Sequence, residues 1–445
     1  MNEEKTKSFP VSKRMVYDSY LKVMSKNGCA GIDGQSIKMF EADMSKNLYK
    51  IYNRMASGSY FAPPVRTEFI PKKQGGFRPL GIPTVGDRIA QGVVKDYLEP
   101  AMDKIFHNSS FGYRPGRSAH DALAQCHANC LQHAWVVDVD IKGFFDNINH
   151  EKLMVLIKQH SEEKWILLYV ERWLKAGIEQ EDGSIQGREK GTPQGGVISP
   201  LLANLYLHHA FDKWMEQSNS KNPFERYADE IVIHCQSKAD AEKLLAALEN
   251  QMKEYSLTLH PEKTKIVYCK NYRRREEHDQ NSFTFLSYTF QPRMANDKFD
   301  PKKRIVLFNG AVSNAAKTSI RQAIKKVLNP RWINDSLEAF AKVLNPKIRG
   351  WINYYGKFYK SRMIRVFDYL DELIRRWMAR KYKITAKQET LVRFQRTKKR
   401  STCTFLPLDI WIKTRLDNKS RMMGDYHVRF RERLGLKCPC LLDSL

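Results

Sequence analysis

Seven residues, Trp135-Val-Val-Asp-Val-Asp-Ile141, set the hardest condition this chain has to meet. Valine and isoleucine at that density in so short a run predict a buried strand. Side chains along a strand alternate between faces, so Asp138 and Asp140 share one. A second acidic pair lies in Tyr227-Ala-Asp-Glu230, at a tight turn predicted between two strands spanning 224–235. Carboxylates at the ends of neighbouring strands are costly to bury unless a cation compensates them. Two arrangements fit. The acids are turn residues paired to lysines, or they form an oxygen-donor site for a hard cation such as magnesium, open to substrate phosphates. Two such ions stabilise the attacking and leaving oxygens of an in-line phosphoryl displacement. Spacing alone does not choose between the two.

Around this strand the pattern is mixed. Residues 1–60 read as helical, with a turn over 28–34 and apolar periodicity over 40–55. Residues 61–85, rich in Pro and Gly, read as strands joined by turns. Helices are predicted over 87–106, with Asp87 as the capping residue, and over 198–216 and 239–255. Strand signals return at 265–269 and 283–290. After Asp300 the pattern turns almost entirely helical, broken by Asn-Pro at 329–330 and 345–346.

Charge divides the chain unevenly. From Pro301 onward there are 34 Lys+Arg against 11 Asp+Glu, a balance of +23, whereas the first 300 residues hold 41 against 38. Solvated faces normally mix the signs. Here the basic run is interleaved with Trp332, Trp351, Tyr354, Tyr355, Phe358, Tyr359, Phe367, Tyr369 and Trp377. Basic groups neutralise phosphates and aromatic faces stack on bases, so this third of the chain reads as nucleic-acid binding, with some of the aromatics serving as core. Steeply salt-dependent RNA binding is expected. The shift near 295–305 is the main expected domain boundary.

A length of 445 residues suggests two or three domains at roughly 150 residues each. Apolar stretches such as 165–170 fall far short of the ~20 residues that a membrane span needs. Met1-Asn-Glu-Glu-Lys5 lacks the apolar core of a signal peptide, so an intracellular, bacterial-type cytoplasmic protein is expected, with nucleoid association left open. The eight cysteines form no pair of CxxC motifs. Cys126 and Cys130, one helical turn apart, read as small helix residues, and reduced thiols are expected.

Resemblance resolves the acidic constellation. Trp135-Val-Val-Asp-Val-Asp-Ile-Lys-Gly-Phe-Phe-Asp-Asn-Ile148 resembles motif A of group II intron reverse transcriptases. Gly191-Thr-Pro-Gln-Gly-Gly-Val-Ile-Ser-Pro-Leu-Leu-Ala-Asn204 resembles their motif B, and Tyr227-Ala-Asp-Glu230 their motif C. Ile70-Pro-Lys-Lys-Gln-Gly-Gly-Phe-Arg-Pro-Leu-Gly-Ile-Pro83 and Phe111-Gly-Tyr-Arg-Pro-Gly-Arg117 resemble the finger motifs. Leu259-His-Pro-Glu-Lys-Thr-Lys265 and Phe285-Leu-Ser-Tyr288 resemble motifs D and E. Ile348-Arg-Gly-Trp-Ile-Asn-Tyr-Tyr355 resembles the maturase, or thumb, region. The match runs in order over about 28–370, and fourteen residues of motif B make it specific.

The resemblance implies an α+β right-hand polymerase, with fingers and a palm on an antiparallel sheet, then an all-helical thumb and a basic C-terminal region. The expected divisions are an N-terminal extension (1–60), fingers and palm (61–295), a thumb or maturase-like domain (296–385) and a basic tail (386–445). It implies extension of a primer, DNA or RNA, by dNTPs on an RNA template, with two Mg2+ ions or Mn2+ in their place, and binding of a structured, intron-like RNA. Asp140, Asp229 and Glu230 would be catalytic, and Asp140, Asp229 and the Ile141 carbonyl would bind metal. Lys72 and Arg78 would hold the triphosphate, Phe145 would be the gate against a 2′-hydroxyl, and Gln194 would contact nucleotide and template. Arg114, Arg117, Arg349 and Trp351 would touch template, primer or RNA. Lys263 or Lys265 would protonate pyrophosphate or touch the template, and spacing does not choose between them.

Two departures stand out. The family ends motif C with two aspartates, and here the second is Glu230, one methylene longer. Nothing after Arg400 resembles the cysteine-bearing endonuclease that many intron proteins carry. An RNA-binding maturase with an impaired active site, and a host-adopted reverse transcriptase in repair or phage defence, are therefore the alternative expectations.

Overall fold

A computed structural model describes residues 9–26, 28–71, 76–180, 182–296, 300, 302–328, 336–385 and 389. The chain divides into two units, Met1–Tyr268 and Cys269–Leu445.

Three helices open the first unit: α1 (Lys13–Met24), α2 (Ile37–Ala42) and α3 (Met44–Ala56). Ser12 and Ser36 cap the first two, each accepting from an amide three residues on. The hairpin β1 (Arg66–Pro71) and β2 (Phe77–Ile82) follows, with Ile70 opposite Arg78. Helix α4 (Val85–Ile105) is capped by Thr84, whose hydroxyl accepts from the Asp87 amide at 3.1 Å. The expected cap, Asp87, has another role. Its buried carboxylate accepts from Tyr60, Trp173 and Gln91 and ties three segments together.

Helix α5 (Ala119–Gln132), opened by a Ser118–Asp121 capping box, leads into β3 (Trp135–Asp140). After α6 (Phe144–Asn147), α7 (His150–His160) and α8 (Lys164–Lys175) comes a short hairpin, β4 (Ile178–Glu179) and β5 (Ile185–Gln186). One continuous helical stretch then holds α9 (Ser199–Leu207), a π turn over His208–Asp212, and α10 (Lys213–Ser218). Strands β6 (Phe224–Tyr227) and β7 (Glu230–Cys235), helix α11 (Lys238–Glu254) and β8 (Lys265–Tyr268) complete the unit.

The sheet runs β6-β7-β3-β8, antiparallel throughout. Its two faces differ. Trp135, Val137, Val139, Ile231, Ile233, Cys235 and Tyr268 lie in the main hydrophobic core. Alternation turns Asp138 and Asp140 to the opposite face, with Lys265 registered against the first and Glu230 against the second. Each fully buried Val or Ile contributes about 1.5–3 kcal/mol, which offsets the cost of the acids.

The second unit sets a sheet of order β11-β10-β9, from β9 (Phe283–Phe285), β10 (Tyr288–Asn296) and β11 (Arg304–Val312), with α12 (Asn314–Val327), α13 (Leu337–Tyr355) and α14 (Ser361–Lys381). The expected boundary at 295–305 therefore falls inside a hairpin, because β10 and β11 pair from Tyr288–Val312 to Asn296–Arg304. The charge changes there; the backbone pairing does not stop. Residues 304–312 form a strand where a helix was expected, while three helices follow as expected. Pro346 lies inside α13, which runs through the predicted break; Leu344 and Ile348, both buried, hold the helix on either side of it. Tyr355, Phe367 and Trp377 are core residues here and not stacking surfaces. The Asn-Pro at 329–330, Trp332 and, apart from Glu389, the tail from 386 lie outside the described residues. Among those described, no helix is long and apolar enough to cross a membrane.

Candidate active site

Pairing places the acids at one end of the sheet. Asp140 closes β3 directly opposite Glu230, the first residue of β7. Asp229 sits beside them in the two-residue turn that joins β6 to β7, after Ala228, whose φ of +56° is left-handed. The carboxylates sense one another. Burial first, and then the charge of Glu230, pushes Asp138 up to about 7, with Asp140 adding to the effect and Lys265 opposing it. Burial, together with the charge of Asp140, raises Asp229 against the pull of Arg226 and Lys263.

The segment resembling motif D is tied to the backbone of Asp140 itself. The His260 amide donates to the Asp140 carbonyl at 2.7 Å, and the Thr264 hydroxyl lies 3.4 Å from the Asp140 amide. Lys263 Nζ thereby comes 3.5 Å from Asp140 Oδ2, both side chains half-exposed. Lys265 instead registers against Asp138. Geometry so separates two lysines that spacing left equivalent. Ile141, buried, bridges to Leu259.

The stretch resembling motif B is stitched to the loop after β3. Gly191 donates to the Ile148 carbonyl at 2.7 Å and Thr192 to the Phe145 carbonyl at 2.8 Å. Gly191 has φ +80°, and a Cβ there would meet the Phe145 and Asp146 carbonyl region at 2.8 Å, so only glycine allows this approach. Phe145 is half-buried, edge-on to Phe144 at 5.3 Å. Gln194 Nε2 reaches Asp146 Oδ1 at 3.4 Å, and the Gln194 carbonyl accepts from Gly81 of β2 at 2.9 Å. Asp146 and Thr264 orient candidate site residues; both lie within the stretches that resemble motifs A and D, but nothing in their residue type singled them out.

Other expected contacts sort differently. Arg114 is not presented to a template. Its side chain is buried, paired to Asp103 at 2.6 Å and bonded to the carbonyls of Asp103, His107 and Ser110. Every face of its guanidinium is used within the chain. Arg117 is half-buried, bonded to Asn108 and lying over Phe111. Arg78 lies on β2, and Lys72 falls outside the described residues. In the second unit Arg349 is exposed and Trp351 half-buried on α13. There the Tyr354 hydroxyl donates to the Leu286 carbonyl at 2.9 Å, anchoring the helix on the β9–β10 turn.

One further cluster was only partly foreseen. Cys126 and Cys130 lie with His234 so that their ligand atoms fall within 4.8 Å of one another, all buried. His234 Nε2, however, pairs with Glu225 at 2.7 Å, and Asn129 donates to the other Glu225 oxygen at 2.6 Å. Burial alone would lower this imidazole, but the charge of Glu225 pushes it up to about 10. The cluster thus holds a buried His234–Glu225 pair with two thiols beside it.

Much of the chain is similar to known proteins. Residues 70–290 match the family described as reverse transcriptase (RNA-dependent DNA polymerase), and residues 317–395 match the group II intron maturase-specific domain. Protein YkfC of Escherichia coli (strain K12) is 30% identical over 281 residues, which cover 54% of this chain and 73% of YkfC. Group II intron-encoded protein LtrA of Lactococcus lactis subsp. cremoris is 35% identical over 258 residues, covering 56% of this chain but 42% of LtrA. Among solved structures, telomerase from Candida albicans in complex with a fragment of telomeric RNA aligns at TM-score 0.43 and 11% identity, over 80% of this chain and 68% of that one.

Proposed function

This chain belongs to the group II intron family of reverse transcriptases and maturases, and from that premise we propose a specific reaction and site. The family is one of RNA-directed DNA polymerases that work with divalent metal ions. The reaction is extension of a primer 3′-hydroxyl by dNTPs on an RNA template, at a centre built on Asp140, Asp229 and Glu230. The observation that carries this reading is the Asp140–Glu230 pair with Asp229 in the adjoining turn. Besides burial, the charges of Glu230 and Asp140 raise Asp138 and that of Asp140 raises Asp229, which marks a concentration of negative charge that a cation relieves. All the donors are oxygens, which suits Mg2+, with Mn2+ as a substitute. Divalent ions bound there supply charge stabilisation to the attacking and leaving oxygens.

The side chains have separate tasks. Asp140 and Asp229, with the Ile141 carbonyl, hold the ions. Lys263, beside Asp140, donates the proton to departing pyrophosphate, and Lys265 balances the charge of Asp138. Phe145 bars a ribonucleotide 2′-hydroxyl, and Gln194, steadied by Asp146, contacts the nucleotide and template. Lys72 and Arg78 grip the triphosphate. Arg117, Arg349 and Trp351 contact template, primer or a structured intron-like RNA held by the basic C-terminal third.

Primer extension on an RNA template, in Mg2+ and in Mn2+, tests the reading with Asp140→Ala and Glu230→Asp beside the parent chain. DNA synthesis that disappears with Asp140→Ala supports it. Absence of synthesis in either metal, restored by Glu230→Asp, means an intact site disabled at one position. Absence even then favours a maturase that binds RNA without polymerising.

A further inference from the structure

We propose that Arg226 is the positioning residue of the Ala228–Asp229 turn, set in place by the π turn over His208–Asp212; the proposal rests on Asp229 serving the active site as read above. Arg226 is completely buried, on the core side of β6. Its Nε and Nη2 donate to the two oxygens of Asp212 at 2.7 and 2.5 Å. Nη1 donates to Asn204 Oδ1 at 2.9 Å and to the carbonyl of Ala228 at 3.3 Å. The guanidinium thus spans from the helix behind the sheet to the peptide group that carries Asp229. Ala228 is left-handed without being glycine, a conformation that persists only where the surroundings impose it.

The other wall of the turn is held by the same helix. Asn204 Nδ2 donates to the Gly112 carbonyl at 2.7 Å, and a Cβ on Gly112 would come within 2.4 Å of the Ala228 nitrogen. Asn204 therefore grips both Arg226 and the segment pressed against the turn. Asn204 and Asp212 stand eight residues apart, and in a regular α-helix the second would lie about 80° round from the first. The π turn, closed by the Lys213 amide on the His208 carbonyl, absorbs that excess and brings both side chains to one guanidinium. A lysine cannot replace this fork, since one ammonium does not reach Asp212, Asn204 and the Ala228 carbonyl together.

The test uses the full chain with Arg226→Lys, Asn204→Ala and, as control, Asp140→Asn. Primer-extension kcat is measured against Mg2+ concentration, alongside primer–template Kd and thermal unfolding. Arg226→Lys should lower kcat at least tenfold and raise the half-maximal Mg2+ concentration several-fold, with Kd within twofold of the parent. Asn204→Ala should shift both in the same direction by less, and it decides the matter if Arg226→Lys does not fold. Folded variants with parental kcat and Mg2+ dependence would overturn the proposal, as would failure of both to fold, which marks a purely structural role. Continued synthesis by Asp140→Asn overturns the site itself, whereas an inactive control beside parental Arg226→Lys and Asn204→Ala overturns the positioning role alone.

Discussion

Glu230 faces Asp140 across the β3–β7 ladder as its last registered pair before the turn. Directly opposed side chains have Cβ atoms about 4.5–5.5 Å apart, so the extra methylene of a glutamate is felt by its neighbour. Reactions of this class are sensitive to displacements of about 1 Å. Replacing Glu230 by Asp should raise the Mg2+-supported rate roughly tenfold or more, with a smaller gain in Mn2+. Single-turnover primer extension in each metal reads this; an unchanged or lower rate would show that the turn already accommodates the longer acid.

Phe145 is pinned through its carbonyl to Thr192, so its ring position depends on two motifs at once. Phe145→Ala should increase incorporation of ribonucleotides relative to deoxyribonucleotides by on the order of tenfold or more, about the discrimination a filled pocket gives. Competition between rNTP and dNTP in the same extension assay measures the ratio. An unchanged ratio would reassign Phe145 to packing.

Asp138 gives the metal-free protein a pH signature. Its carboxyl, ordinarily near 3.8, is pushed up to about 7 by burial and by Glu230. The folded state therefore favours the protonated acid. The stability this brings is complete below about pH 4 and is lost as pH rises through about 7. Asp138→Asn should remove that slope, which amounts to a few kcal/mol at most. Urea unfolding between pH 4 and 8, with chelator present, checks it; parallel curves for the two proteins would contradict it.

His234 slopes over a different window. With Glu225 beside it, the ring stays protonated up to about 10, against an ordinary value near 6.5. Its stabilisation is complete below about pH 6.5 and is lost as pH rises through about 10. Glu225→Gln removes the charge that keeps the ring protonated, so the buried imidazole is neutral at pH 7 and the pair's stabilisation, about a few kcal/mol, is lost. Denaturant unfolding gives that loss, and the imidazole NMR shift of His234 at pH 8 reports whether the ring is charged in the parent.

What could be read from sequence was whatever declared itself within a few residues. The run Trp135–Asp140 is a strand because its valines demand burial, and its two aspartates share a face because strands alternate. The Ala228–Asp229 turn was legible on the same terms. Choosing between Lys263 and Lys265 was not, because it depends on how His260 and Thr264 bond the backbone of Asp140 from more than 100 residues away. Arg114 was misread because a guanidinium in a basic motif looks the same whether it meets phosphate or, as here, Asp103 and three carbonyls. Arg226 needed the phase of a helix with a π turn in it, which no α-helical period supplies. Strand β11 reads as helical in the sequence because Ile305–Phe308 is an unbroken apolar run with no polar alternation to mark a strand, next to a basic helical region.

The central place of β3 in its sheet has a consequence for the growing polypeptide. Trp135 pairs with Cys235 on one side and Tyr268 on the other, partners 100 and 133 residues further along the chain. At about 5–20 residues per second, the strand waits for many seconds after it is made before both flanks can close. During that interval its apolar side and its open backbone edges need shelter, and a ribosome that stops before Tyr268 releases a product whose acidic strand lacks one of its two neighbours.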